Sequence, residues 1–410
     1  MLSVLSRLNS TSNENGEPLR ILAVGADPRQ IACSAKRAGF YVASVSGHDY
    51  SDLIKCSDVA LVAPLRGATI SVRGLYIRTE FPGGIADVAY KGLKALVNCL
   101  TYDHAILAAG AETLDIPRTA GNSPSLAKFV NDKDRLKDKL QSLGYPVPER
   151  FGLEDNLPFP VILKPKEGAS GDWVVLVRDK QHLQRSIEQY HENGLDDFLL
   201  EEHVRGISPS ASVLSTGKQA LTVAISEQLL GLRNLGPMPR FRFCGSVTPL
   251  KTKYAKEIEA IANSVTIDLG LVGTNGIDFV VGPNGPVLIE INPRFQTSLD
   301  TIEGALGINT VDAHIRSCQG ELVAPPRPSR FACRFFYFAD HDFQVMKTCD
   351  CADYLGIPRK GTFIKRAEKV ISAIGYGKSR DSAFNNALHY IETAKRHIGA
   401  ERRNSELFAH

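Results

Sequence analysis

Residues 276–292 read GIDFVVGPNGPVLIEIN, two apolar runs that face each other across a Gly-Pro-Asn-Gly turn. β-Branched and aromatic residues on both sides of a tight turn leave a chain one economical conformation, a β-hairpin. Pro283, Asn284 and Gly285 suit a three-residue loop closed by a glycine in the left-handed region, which makes Asn284 the pivot and sets Asp278 opposite Glu290. Side chains two apart on a strand share a face, so Asn292 projects beside Glu290 and Arg294 follows just beyond. Opposed carboxylates repel and cost stability unless a cation lies between them. Asp278, Glu290 and Asn292 are hard oxygen donors of the kind Mg²⁺ takes when phosphates complete its octahedron. Arg294 can hold a phosphate or carboxylate through two parallel hydrogen bonds. A hydrated polar hairpin face is the plain alternative; it accounts for single charges but not for an acid placed opposite an acid.

The rest of the chain supplies elements of alternating type. LRILAVGADPRQIACSAKRAGFYVASVS reads as a strand, a turn at 25–28, a helix ending at Gly39 and a second strand from Tyr41. With VALVAP (59–64) and HAILAAG (104–110) as later buried strands, the order predicts a parallel sheet with helices on its faces over 19–122. Its first turn lacks the glycine fingerprint of a dinucleotide site. From 123 to 322 the pattern changes. A charged helix in NDKDRLKDKLQSLG is followed by strand, glycine loop and strand in FPVILKPKEGASGDWVVLV. Then come a helix at 180–193, the strand DFLLEEHVRG, further strands, an Arg-rich stretch at 231–246 and a helix near 252–269. VAPPRPSR (323–330) reads as a linker to a β-rich segment with a closing helix, 331–398, and residues 1–18 as a disordered lead-in. The fold class is therefore α/β at the N-terminus and α+β beyond it.

Bulk properties exclude several classes. With 48 basic and 45 acidic residues the chain carries a formal +3 and no basic tract, which argues against nucleic-acid binding, and no apolar run has membrane-spanning length. Eight cysteines scattered through 410 residues without a secretory signal argue for reduced thiols in a cytoplasmic protein. Cys349 and Cys351 lack a second Cys/His pair at zinc spacing and read as ordinary thiols. His104, His203 and the helix-sharing pair His314 and Cys318 read as structural, whereas Glu303 and Arg316 are polar enough to face a cleft. In KPKEGASG, Lys164 sits at a strand end before glycines that allow backbone N–H groups to approach phosphate oxygens; a simple turn between strands explains the same loop.

With these residues in place, the chain resembles the ATP-grasp superfamily from about residue 21 to 398, most specifically in Asp278, Glu290 and Asn292 in their E-x-N-P-R context. NDK and VILKP are similar to its two ATP-contacting lysine segments, FLLEEHVRG to the strand lining its adenine pocket, and the tail to the carboxylase-like branch. The resemblance implies an N-terminal domain preceding a two-lobed ATP-grasp domain, with lobes at 123–203 and 204–322. It implies that Lys133 and Lys164 contact ATP phosphates and that Gly168, Ala169, Ser170 and Gly171 close over them. Glu201 would face the adenine amino group, with Glu202, His203 and Val204 completing that contact and Ser208 near the ribose, where many members carry an acid. Asp278, Glu290 and Asn292 would hold Mg²⁺, with Mn²⁺ as a substitute, and Lys164 and Arg294 would be catalytic. The implied activity is an ADP-forming carboxylate ligase that joins an acyl phosphate to an amine or similar nucleophile, in a cytoplasmic homodimer acting on small molecules. A bicarbonate-activating carboxylase and a nucleotide-binding protein without turnover are the alternatives. Two lysines, an arginine and Mg²⁺ supply the positioning and charge neutralisation that phosphoryl transfer needs.

Overall fold

The computed structural model describes residues 16–62, 68–72, 75–79, 97–98, 100–153, 155–166, 168, 171–349 and 351–399. Most of the anticipated lead-in, Cys99, Ala169 and Ser170 lie outside the described residues.

The N-terminal sheet contains β1 (Arg20–Gly25), β2 (Tyr41–Ser46), β3 (Val59–Val62), β4 (Ala68–Val72), β5 (Leu75–Thr79) and β6 (His104–Leu107) in the order β5-β4-β3-β2-β1-β6. Strands β3, β2, β1 and β6 are parallel, as the strand-helix-strand pattern predicts, whereas β4 and β5 add an antiparallel hairpin at one edge. Helices α1 (Arg29–Arg37) and α2 (Ser51–Lys55) follow β1 and β2. Every side chain from Ile21 to Val24 is fully buried, because a parallel strand with covered faces cannot alternate apolar and polar positions.

Two helices lead onward, α3 (Pro124–Asn131), capped by Ser123, and α4 (Lys133–Ser142), capped by Asp132. Both caps accept a first-turn N–H that no helical carbonyl can reach. Helix α4 buries Leu136, Lys137 and Leu140, which its period places on one face and which include a lysine among apolar neighbours.

A small antiparallel sheet follows, with β7 (Arg150–Phe151), β8 (Val161–Pro165), β9 (Val175–Val177) and β10 (Phe198–Glu202) in the order β7-β10-β8-β9, covered by α5 (Lys180–Glu192). The eight-stranded sheet comprises β11 (Pro209–Thr216), β12 (Ala220–Leu230), β13 (Phe243–Thr248), β14 (Val272–Gly282), β15 (Gly285–Asn292), β16 (Phe331–Phe338), β18 (Tyr354–Leu355) and β20 (Lys369–Gly377). A two-stranded ribbon of β17 (Phe343–Gln344) and β19 (Phe363–Ile364) stands beside it. Strand β16 pairs with β13 and β20 with β16, so the segment after the linker extends the central sheet. Helix α6 (Ala255–Asp268) buries Ile258, Ala262 and Val265 against that sheet; α7 (Leu299–Leu306), α8 (Thr310–Cys318) and α9 (Arg380–Ile398) complete the helices.

Buried charge ties the parts together. Asp300 on α7 accepts from Arg29 of α1, Gln30 and Arg334 of β16; Arg29 and Arg334 are 1% and 2% exposed. Three distant segments thus share one carboxylate, and removing it would leave the Arg334 guanidinium buried without its partner and Arg29 with Asp52 at 3.7 Å. One expectation fails here. Cys33 of α1 and Cys56 beyond α2 form a disulfide, with Cα atoms 4.7 Å apart, so the thiols are not all reduced. The pairing arises because α1 and α2 lie side by side, which cysteine spacing along the chain does not report. Cys349 is buried and Cys351 exposed, both free, and among the described residues no His/Cys/Asp/Glu cluster has metal-site geometry. No helix among the described residues is long and apolar enough to cross a membrane.

Candidate active site

The hairpin reaches the anticipated pairing by a different route. Its turn contains two residues, Pro283 and Asn284, with Gly282 paired to Gly285, and a bulge between Asp278 and Phe279 absorbs the one-residue difference. Asp278 therefore faces Glu290 and Gly276 faces Asn292. Bulges re-aim side chains in this way beside active sites.

Asp278 is 9% exposed. Its Oδ1 accepts from the Ser210 hydroxyl and from Gln296 Nε2 (3.2 Å), and its Oδ2 from Asn292 Nδ2 (3.0 Å). Burial first and the Glu290 carboxylate second push the Asp278 carboxyl up to about 6, more than the hydrogen bonds and Arg294 offset. A buried acid held against a second, half-buried one suits a hard divalent cation, which would stabilise both ionised forms. Asn292 turns its amide nitrogen towards Asp278, leaving its oxygen as the end a cation would use. Ser210 and Gln296 are site residues that sequence reasoning missed; Gln296, two positions past Arg294, continues the alternation that singled out the others.

A second buried set departs from expectation. Glu201, anticipated at an adenine amino group, directs its carboxylate to two lysines: Lys137 at 2.6 Å and Lys164 at 2.7 Å. On the antiparallel pair β8 and β10, Leu199 faces Lys164 and Glu201 faces Ile162, so Glu201 and Lys164 are diagonal neighbours on one face. Lys137 arrives from the buried face of α4. Burial opposes ionisation of Glu201, but Lys164 and Lys137 outweigh it and hold the carboxylate below its usual range. Burial lowers the Lys137 ammonium to about 8 despite Glu201. Lys137 was invisible in the sequence as one of several lysines of a charged helix. The arrangement fixes Lys164 near the end of β8.

Lys133 Nζ donates to the carbonyls of Lys166 (3.2 Å) and Gly168 (3.0 Å), holding that loop from below. Gly171 has φ +72°, and a Cβ there would lie 1.9 Å from the Phe241 carbonyl, so only glycine lets the loop meet the Arg-rich segment. Gly206, just past β10, is as restricted: a Cβ would lie 1.8 Å from the Val281 carbonyl, where the connection crosses the hairpin. The His203 ring meets Phe241 edge-on at 6.5 Å, and its buried Nδ1 has no partner. Burial, Arg240 and Arg205 all lower the His203 pKa. The Ser208 carbonyl accepts from Gln228 N at 2.9 Å. Next to Gln228, Glu227 is the acid closest in sequence to that contact, yet both its oxygens are taken by Arg380 at 2.7 and 2.8 Å.

A cleft of about 1220 Å³ is lined by Lys133, Lys164, Gly168, Gly171, Glu201, Glu202, His203, Val204, Ser208, Asp278, Glu290, Asn292 and Arg294. Every described residue singled out in the sequence for a role in binding or catalysis thus meets in one place. A second cavity of about 1390 Å³ shares Lys133, Lys164, Glu201, Glu290, Asn292 and Arg294 with it and extends towards Ala109, Gly110, Glu112 and Thr113, just past β6. There Arg294 Nε lies 3.1 Å from Glu112 Oε1. Glu303 and Arg316, by contrast, stand outside both cavities. Glu303 ties Ser34, Arg37 and Thr310 together, and Arg316 pairs with Glu321 and Asp312.

Residues 130–298 match a family model described as the ATP-grasp domain. An uncharacterised protein of Methanocaldococcus jannaschii is 24% identical over 380 residues, covering 88% of each chain. The formate-dependent phosphoribosylglycinamide formyltransferase of Prochlorococcus marinus is 23% identical over 320 residues, 75% of this chain and 78% of that enzyme. Among solved structures, the biotin carboxylase domain of Hydrogenobacter thermophilus 2-oxoglutarate carboxylase, a dimer with MgADP, ADP and bicarbonate, superposes with TM-score 0.68 at 16% identity over 92% of this chain and 89% of that one. N5-carboxyaminoimidazole ribonucleotide synthetase of Thermotoga maritima gives 0.63 at 19% identity over 91% and 98%.

Proposed function

We propose, from the match of residues 130–298 to the ATP-grasp domain model, that the protein is an ATP-dependent carboxylate ligase that releases ADP and passes its acyl group to a nitrogen nucleophile. The observation that carries the proposal is buried Asp278 set opposite half-buried Glu290, with Asn292, Arg294 and two lysines lining the same cleft.

The backbone of Glu202 to Val204 offers its polar groups to the adenine edge, with the buried, unbonded Nδ1 of His203 beside it. Ser208 and Gln228 lie where the ribose would rest. Lys133 and the Gly168 to Gly171 loop enclose the phosphates, and Lys164, held by Glu201, directs its charge at them. Asp278, Glu290 and Asn292 are the residues that would hold Mg²⁺, with Mn²⁺ as a substitute. The bound ion would neutralise phosphate charge that the lysines alone leave unbalanced. An oxygen of the substrate carboxylate attacks the γ-phosphorus. The new O–P bond forms as the bond to the β-γ bridging oxygen breaks, and the electron pair leaves on ADP. Arg294 steadies the transferred group through paired N–H donors. The nucleophile then attacks the acyl carbon and phosphate departs. We further propose a homodimer in the cytoplasm, where the five free described cysteines, including exposed Cys351, would stay reduced, with the Cys33–Cys56 disulfide as the exception.

The test is ADP and hydroxamate formation from ATP, Mg²⁺, hydroxylamine and a panel of carboxylic acids, with Glu290→Gln alongside. One acid should yield hydroxamate, and the variant should lose about 100-fold or more in rate. Full activity of Glu290→Gln would remove the metal site from the mechanism, and label from bicarbonate entering the product would redirect the reading to carboxylation.

A further inference from the structure

Resting on the ligase reading, we propose that Glu112 holds the ammonium group of the acceptor amine and takes the proton that must leave before its nitrogen attacks. Glu112 follows β6, at the carboxyl ends of the parallel strands, and is the N-terminal domain's carboxylate in the second cavity. Its Oε1 is occupied, by Arg294 Nε at 3.1 Å and by Asn131 Nδ2 at 3.5 Å. Its Oε2 is buried and accepts no hydrogen bond.

A buried carboxylate oxygen without a donor is costly, and the cost is recovered only when a donor arrives. A carboxylate accepts most strongly from a cation, so the missing donor is best an ammonium N–H. The position suits an acceptor because the other oxygen of Glu112 touches the arginine assigned to the transferred phosphoryl group. An amine on Oε2 therefore lies next to the acyl phosphate. Glu112 and Arg294 together present opposite charges side by side, matching an anionic acyl phosphate and a cationic nucleophile that must meet. Glu112 first takes one proton from the ammonium, which frees the nitrogen lone pair to attack the acyl carbon. As the C–N bond forms and the C–O bond to phosphate breaks, the second proton leaves on the departing phosphate, so charge and atoms balance.

Two measurements on the full chain decide this. With ADP and Mg²⁺ present, the thermal midpoint is followed in a panel of primary amines and the matching alcohols, for wild type and Glu112→Gln. The glutamine keeps a carbonyl oxygen for Arg294 but cannot balance a cation. The wild type should show saturable stabilisation by at least one amine and not by its alcohol, and the variant should lose it. In turnover, selectivity for that amine over hydroxylamine, which is uncharged at neutral pH, should fall about tenfold in Glu112→Gln. Absence of any amine-dependent shift, its persistence in the variant, or a parallel loss of amine and hydroxylamine turnover would each overturn the proposal, the last by showing that Glu112 acts only through Arg294. An amine shift that depends on Glu112 in a protein making no ADP would sustain the subsite and refute the ligase reading instead.

Discussion

Without a cation, Asp278 is a liability, and Asp278→Asn should relieve it. The folded chain raises this carboxyl from 3.8 to about 6, mainly by burial and then by Glu290. Because the folded state binds the proton more tightly than the unfolded one, stability falls as pH rises from about 4 through about 6, and above that the whole cost is present. A shift of roughly two pH units corresponds to about 3 kcal/mol at neutral pH. Asparagine keeps an oxygen for Ser210 and Gln296, and Asn292 has only to turn its amide to face the new NH₂. Urea unfolding in EDTA should therefore show Asp278→Asn about 1–3 kcal/mol more stable than wild type near pH 7.5, the gap closing towards pH 4.5. Adding Mg²⁺ and ADP should stabilise the wild type and leave the variant behind. A stability difference that stays flat across this pH range, or favours the wild type in EDTA, would refute the account of the site as a built cation seat.

Further tests address the rest of the cleft. Glu201→Ala strands Lys137 and Lys164 in a buried position and should cost about 3–5 kcal/mol in urea unfolding, with a raised KM for ATP; a loss under about 1 kcal/mol would mean the lysines find other partners. Gly171→Ala forces the glycine loop off the Phe241 carbonyl and should raise the KM for ATP about tenfold or more, while Gly144→Ala, at φ +79° with nothing within 4 Å, should leave it unchanged. Replacing Cys33 and Cys56 by serine reopens a 23-residue separation and should lower stability by up to about 3 kcal/mol. Mass spectrometry of the non-reduced digest should recover those two cysteines in one linked peptide.

How much of this was legible in advance depends on chain separation. Parallel β1, β2, β3 and β6, helices α1, α4, α5, α6 and α9, and the pairing of Asp278 with Glu290 all follow from local patterns, because strand alternation, helix period and turn chemistry act over a few residues. Even there, the hairpin reached its register through a two-residue turn and a bulge, a compensation to which sequence symmetry about Asn284 is blind.

Contacts between remote segments were decided elsewhere. Glu201 lies 64 residues from Lys137, Arg294 lies 182 from Glu112, and Asp300 lies 271 from Arg29. No periodicity links such positions. Each meeting depends on which faces pack once the sheets and helices are stacked, so one more lysine in a charged helix became the second anchor of Glu201. The amino-acid sequence by itself determined the elements and the acids of the hairpin, since those are set by short-range sterics and polarity. Only the tertiary structure decided which buried charges neutralise one another, because the free energy of a buried charge depends on every segment that surrounds it.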